Sequence, residues 1–200
     1  MIHILAVCTG NICRSPLAAK VLEQRLSDLP VSVSSAGTRA RNGMRMTPQA
    51  IELATARGVA EAAAGHTARE LNEADVRNAD LIIALARDHR REIVELVPSG
   101  LRNTFTAREF ARLSGAVSDD DIRAAARVEE VDGRVDAQSR VRSIVALIAR
   151  QRGISLPPAL PGDDDVTDPY GRSARTYALS AEQMDPALTA VERVLRLALE

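Results

Sequence analysis

Apolar and polar positions alternate between two periods along the first half of the chain. Ile2, Ile4, Leu5, Ala6 and Val7 form a nearly continuous apolar run, which predicts a strand buried on both faces over residues 2 to 7. Leu17, Val21, Leu22 and Leu26 then fall on one helical face, predicting a helix from Pro16 to about Ser27. Val31 to Ser34 reads as a second strand, and Pro48 to about Arg57 as a second helix ended by Gly58. Leu81 to Leu85 is a buried strand by the same criteria, followed by a helix over roughly Asp88 to Leu96. Strands alternating with helices are the signature of βαβ units, so the expected class is α/β with a parallel sheet.

The stretch 98–165 changes character and reads as helical. Thr106 and Glu109 have the spacing of a capping box, with Phe105 and Phe110 at the staple positions around it. Ser118 before Asp119, Asp120 and Asp121 marks a second helix start, and Val141, Ile144, Val145 and Ile148 line one face of a third. Leu156 to Gly162 is a stiff, proline-rich linker, and Asp163 to Asp165 reads as a solvated charge run. With few aromatics to anchor a partner, this stretch is expected to be a helical elaboration over one edge of a single domain spanning 1–200, in preference to an independent binding module.

The candidate chemistry lies at the end of the first strand, in Cys8-Thr9-Gly10-Asn11-Ile12-Cys13-Arg14-Ser15. Five residues between Cys8 and Arg14 let the chain curl so that successive backbone N–H groups point inward; Arg14 closes the ring, and the following helix adds its positive N-terminal end. A tetrahedral oxyanion fits such a cup, and the same field favours an anionic, nucleophilic sulfur over a neutral thiol. Gly10 frees the backbone, Ser15 suits a helix N-cap and Pro16 the first helical position. The plainer alternative is a buried Cys at a strand end beside an unrelated surface Arg.

This loop, with Asp168-Pro169-Tyr170 downstream and the landmarks Ser34 to Thr38, Gly65 to Arg69 and Asp80 to Ala84 between them, resembles the low-molecular-weight protein tyrosine phosphatases. The resemblance covers residues 1 to about 97 and 166 to 200. It implies a three-layer α/β domain whose central, mainly parallel four-stranded sheet is flanked by helices, with 98–165 as an extra helical insertion. It also implies the activity of a phosphotyrosine-protein phosphatase working through a cysteinyl-phosphate, with Cys8 as nucleophile, Arg14 gripping the phosphoryl group and Asp168 as general acid. Thr9, Gly10, Asn11, Ile12, Cys13 and Ser15 complete the phosphate loop. Asn11 is then expected to hold the loop's shape, Ser15 to stabilise the thiolate, and His66 to hydrogen-bond toward Asn11. Tyr170 would wall the cleft for a phenyl ring, while Arg39 stands where some members carry an aromatic.

Each of these has an alternative. Asp168 could be only a turn residue of Asp-Pro-Tyr-Gly, His66 a surface or satisfied core histidine, and Asn11 or Ser15 a turn residue or cap. Cys13 is either a small buried hydrophobe or, as the resemblance implies for members with this pair, a reversible disulfide partner of Cys8. His3 and His89 are given no role. Arsenate reduction would need an external thiol, since no cysteine follows Cys13; a catalytically silent phosphate-binding module would leave nucleophile, cation and acid together without a use.

Composition narrows the partners. Twenty-six Lys and Arg against 27 Asp and Glu give a net charge of −1, which leaves no nucleic-acid footprint. No apolar run approaches the roughly 18 residues of a membrane span, and the opening residues read as a strand in place of a signal peptide. Two cysteines in one loop form neither a disulfide framework nor a four-ligand zinc site, so no cofactor or metal is expected. A cytoplasmic enzyme is the expectation, acting on phosphotyrosine proteins, among them autophosphorylated bacterial tyrosine kinases of polysaccharide export.

Overall fold

The computed structural model describes residues 1–127 and 136–200, so residues 128–135 of the helical stretch lie outside it. Strand β1 (Ile2–Cys8) runs into helix α1 (Arg14–Arg25), and β2 (Val31–Gly37) follows. Helices α2 (Pro48–Thr55), α3 (Ala60–Ala64) and α4 (Glu73–Asn78) lead to β3 (Leu81–Ala84) and α5 (Arg87–Leu96). Strand β4 (Thr104–Thr106) precedes α6 (Ala107–Gly115), α7 (Asp119–Ala126), α8 (Ala137–Arg150) and the long α9 (Ala174–Leu199). The sheet order is β2-β1-β3-β4 with every pairing parallel, which puts Cys8 opposite Gly37 and Val7 opposite Ala84 at the carboxyl edge.

Parallel pairing requires crossovers, and the crossovers cover both faces of the sheet. Along β1, Ile2, Ile4 and Ala6 point into one core with Leu81, Ile83 and Phe105, covered by α1 and α6 to α9. Leu5 and Val7 point into the other, with Ile82 and Ala84, against Val76 of α4 and Ile93 of α5. The period of two explains why a run that looked uniformly apolar serves two layers. Helix α2 is capped by Thr47, which accepts from the Ala50 N–H, and Gly58 at φ +76° ends that segment as expected.

The stretch after residue 98 gives its first residues to the sheet, since β4 is the fourth strand. It is three residues long and carries no period to read. Beyond it the capping box of Thr106 and Glu109 is present, the Phe105 and Phe110 rings meet edge to face at 5.4 Å, and Val141, Ile144, Val145 and Ile148 are all buried. The aspartate run departs from expectation, because each carboxylate is engaged. Asp163 accepts from the Leu160 N–H, Asp164 pairs with Arg112 at 2.9 Å, and Asp165 is gripped by Arg87. Arginines from α5 and α6 thus tie down the segment that leads to Asp168.

Candidate active site

The carboxyl end of β1 delivers Cys8 into a loop that turns into α1 within six residues. The turn is made at Asn11, a non-glycine residue at φ +53°, in the left-handed region. Its side chain offsets that strain: Nδ2 donates to Ser15 Oγ (2.9 Å) and Ser35 Oγ (2.8 Å), and Oδ1 accepts from the Arg69 N–H (3.0 Å). Its backbone carbonyl lies 2.8 Å from His66 Nε2, so that nitrogen donates; burial, against this hydrogen bond, holds the imidazole below its usual pKa. Asn11 is fully buried and shapes the cup from behind, while its own N–H points at Cys8 Sγ at 3.3 Å.

Ser15 is not the helix cap that its position suggests. Helix α1 starts two residues earlier than expected, at Arg14 in place of Pro16, with Cys13 in the cap position, and the buried Ser15 hydroxyl turns toward the loop. It lies 3.0 Å from Cys8 Sγ and 3.3 Å from the Ala36 carbonyl. A hydroxyl and an N–H thus converge on one sulfur, the N–H of Asn11 as donor. On the other side Gly37 is indispensable, because a Cβ there would stand 2.5 Å from the Thr9 carbonyl oxygen and 2.9 Å from Asn11 N.

Arg14, nearly buried, reaches across to the segment before α9. One terminal nitrogen donates to the Val166 carbonyl (3.0 Å) and the other pairs with Asp168 Oδ2 (3.0 Å). Its Nε is buried and without a partner among the described residues. Asp168 is half-exposed, and its Oδ1 accepts from the Tyr170 N–H at 3.2 Å, so it is a turn residue as well as a neighbour of the cup. The approach is set by α5: Arg87 donates to Asp165 through its backbone N–H (2.7 Å) and its guanidinium (2.9 to 3.1 Å), and the Val166 N–H donates to the Leu85 carbonyl at the end of β3.

His89 was missed by sequence reasoning. It sits one turn into α5, and its Nε2 lies 2.9 Å from Thr9 Oγ1 in the cup. Burial, and then the charge of Arg14, push its pKa down to about 4. No motif signals this residue; only the helical offset from Arg87 places it under Thr9. Cys13 Sγ lies 3.4 Å from Thr47 Oγ1 and 3.5 Å from the Tyr177 hydroxyl, and both cysteines are free thiols. Burial raises the Cys13 thiol, and burial with the neighbouring Cys13 pushes Tyr177 up to about 12.

The cup opens into a cavity of about 320 Å³. Cys8, Thr9, Gly10, Cys13 and Arg14 form its floor, and Ile12, Met44 and Tyr170 are its apolar walls. Met44 and Tyr170 are 39% and 60% exposed, an apolar pair left facing solvent across a polar floor. Arg39 and Arg41 stand at the mouth. Arg41 and Met44 are additions that the sequence alone did not single out.

A cysteine facing an amide cup, an arginine closing it and an aspartate at its lip define a class of cysteine-dependent phosphatases. The family model for low molecular weight phosphotyrosine protein phosphatases matches residues 3–122, and the chain belongs to that family. Among its relatives, a probable low molecular weight protein-tyrosine-phosphatase of Ralstonia solanacearum is 40% identical over 107 residues, 54% of this chain and 71% of that one. A protein-arginine-phosphatase of Geobacillus stearothermophilus is 37% identical over 109 residues, 54% and 70% of the two chains. The crystal structure of a low molecular weight protein tyrosine phosphatase from T. tengcongensis superposes with a TM-score of 0.64 at 26% identity, covering 96% of this chain and 97% of that one. The family model passes through β4 and α6 into α7, so the part of 98–165 without such a match begins after residue 122. The protein is therefore a metal-independent phosphatase whose mechanism is built on a cysteine, as in its family. Among the described residues, no helix is long and apolar enough to cross a membrane.

Proposed function

We propose that this protein hydrolyses phosphotyrosine in protein substrates through a cysteinyl-phosphate on Cys8. The observation that supports the reading is the cavity itself: the Cys8 to Arg14 loop lines it together with Ile12, Met44 and Tyr170, whose side chains offer apolar and aromatic surface to a phenyl ring beside the oxyanion cup. In the first step the Cys8 thiolate attacks phosphorus in line with the ester oxygen. The loop amides and Arg14 Nε hold the equatorial oxygens, and the P–O bond breaks as Asp168 gives its proton to the leaving phenol. In the second, Asp168 takes a proton from water, the water oxygen attacks phosphorus, the P–S bond breaks, and phosphate leaves with the thiolate restored. Asn11, Ser15 and His66 support the cup, Tyr170 stacks on the ring, and Arg39 contacts what flanks it.

The whole chain acts as one catalytic domain in this account, because α7, α8 and α9 share a continuous core with β4 and α6. A reduced thiol nucleophile fits a cytoplasmic setting. Autophosphorylated tyrosine kinases of polysaccharide export are suitable substrates, and two relatives in Escherichia coli carry names of low molecular weight protein-tyrosine-phosphatases. Phosphoarginine is disfavoured by the mouth, where Arg39 and Arg41 would face a guanidinium of like charge. The test is steady hydrolysis of phosphotyrosine and phosphoarginine peptides in the presence of a chelator. The reading expects turnover of the former at a clearly higher kcat/KM; a preference for phosphoarginine would overturn the substrate assignment.

A further inference from the structure

The segment after β2 is bolted to the cup. The Thr38 N–H donates to the Cys8 carbonyl (2.9 Å) and the Arg39 N–H to the Thr9 carbonyl (3.0 Å), so the backbone that carries the mouth arginines starts on the phosphate loop itself. Its far side is held equally well. Gly43 N–H donates to Ala68 O (2.8 Å), Ala68 N–H to Met44 O (2.7 Å), and the Arg45 guanidinium to Ala64 O (2.8 Å). Gly43, at φ +85°, makes the turn that brings Met44 back toward the cavity. Arg39 and Arg41 are therefore presented from a preorganised shelf, with little backbone entropy left to lose on binding.

The charges on this shelf are unbalanced. Arg14, Arg39, Arg41 and Asp168 are the charged residues lining the cavity, and Asp168 is matched to Arg14. A phosphoryl group takes up Arg14. Arg39, 73% exposed, is tethered to Glu92 of α5 at 2.6 Å. Arg41 is exposed and makes no side-chain hydrogen bond or ion pair among the described residues. On the α5 side of Arg39 an open groove carries Glu70, Glu92 and Glu95, and the cations there are already matched, Arg39 to Glu92 and Arg91 to Glu95, so among the described residues a substrate carboxylate finds an unpaired cation only on the Arg41 side.

From this we infer that the enzyme selects phosphotyrosines flanked by acidic residues, with Arg41 as the main specificity-determining cation and Arg39 as its neighbour. The inference rests on the aryl-phosphate reading above and names the substrate class within it. A pairing at this exposure is modest and screened by salt. One flanking carboxylate raises kcat/KM about three- to fivefold at low ionic strength, and most of the gain disappears at high salt. The gain appears in KM more than in kcat, because a flanking contact is the same in ground and transition states.

The experiment compares three phosphotyrosine peptides, identical except for Asp/Glu, Ala/Gln or Lys/Arg beside the phosphotyrosine, at low and high salt, with the wild-type chain, Arg41→Gln and Arg41→Glu. The readout is the ratio of kcat/KM between peptides for each protein. The inference expects an acidic preference in the wild type that salt weakens, its loss in Arg41→Gln and its reversal toward the basic peptide in Arg41→Glu. Equal rates on all three wild-type arms, with ready turnover of each, would overturn the inference and leave the aryl-phosphate reading intact. Retention of the preference in Arg41→Gln would remove Arg41 from the role, whereas no turnover of any phosphotyrosine peptide would instead sink the proposed function.

Discussion

Acidification places a charge on His89 where the fold has made no provision for one. The residue is 4% exposed, its Nε2 is engaged with Thr9 Oγ1, and its Nδ1 is buried without a partner among the described residues. Burial first, then Arg14, lower its pKa from 6.5 to about 4, while Glu92, Asp168 and Asp88 pull the other way. The unfolded chain therefore takes up this proton below its ordinary value and the folded chain does not. The contribution to stability is complete above pH 6.5, declines as the pH falls through the window, and is gone below about 4. A tenfold difference in proton affinity between the folded and unfolded chain is worth about 1.4 kcal/mol, so the linkage is of the order of 3 kcal/mol. His89→Gln keeps an amide directed at Thr9 and does not titrate. Urea midpoints measured across the window for both proteins cancel the carboxylates they share. The wild type is expected to lose about 3 kcal/mol more than the variant on acidification, at equal m. Parallel pH curves would refute the argument and mean that His89 is hydrated or mobile in solution.

Three further substitutions test the cup and its supports. Arg14→Lys keeps the charge and loses the fork, including the free Nε, so kcat should fall about 100-fold in steady-state assays with an aryl phosphate. Gly37→Ala forces a Cβ against the Thr9 carbonyl, and thermal or urea unfolding should show a loss of about 1–3 kcal/mol, accompanied by reduced kcat. Asp165→Asn cuts the charge-assisted grip of Arg87 on the segment before Asp168. Rates on substrates with poor leaving groups should fall more than rates on nitrophenyl phosphate, since protonation by a displaced acid is what fails.

The parts of this molecule that announce themselves in sequence are those governed by local rules. The apolar run of β1, the capping box at Thr106, the serine cap at Ser118 and the buried face of α8 follow from spacing alone, and all four are present. Cys8 and Arg14 are legible because their chemistry lies within one short loop. What was not legible depends on contacts far apart in the chain. His89 meets Thr9 across 80 residues, and Asp165 meets Arg87 across 78, so a charge run that looked free is a clamp. Ser15 satisfies every rule for a cap, yet its hydroxyl goes to Cys8 and Asn11, where a reactive sulfur competes successfully for it. Strand β4 is too short to carry a period, and the pattern of α9 is interrupted by Pro186, although Ser173 caps that helix in the ordinary way.

The central claim is that the phosphoryl group passes through Cys8. Asp168→Asn should still accept it from nitrophenyl phosphate, whose leaving group needs no proton, and should release it slowly for want of a base. Mixing that variant with the substrate, stopping the reaction in alkaline denaturant and weighing the intact chain should show the added mass of one phosphoryl group. Fragmentation should assign it to Cys8 and not to Cys13, and Cys8→Ser in the same background should not form a thiophosphate. Rapid turnover by Asp168→Asn with no phosphorylated species, or a phosphoryl group on any residue other than Cys8, would contradict the account.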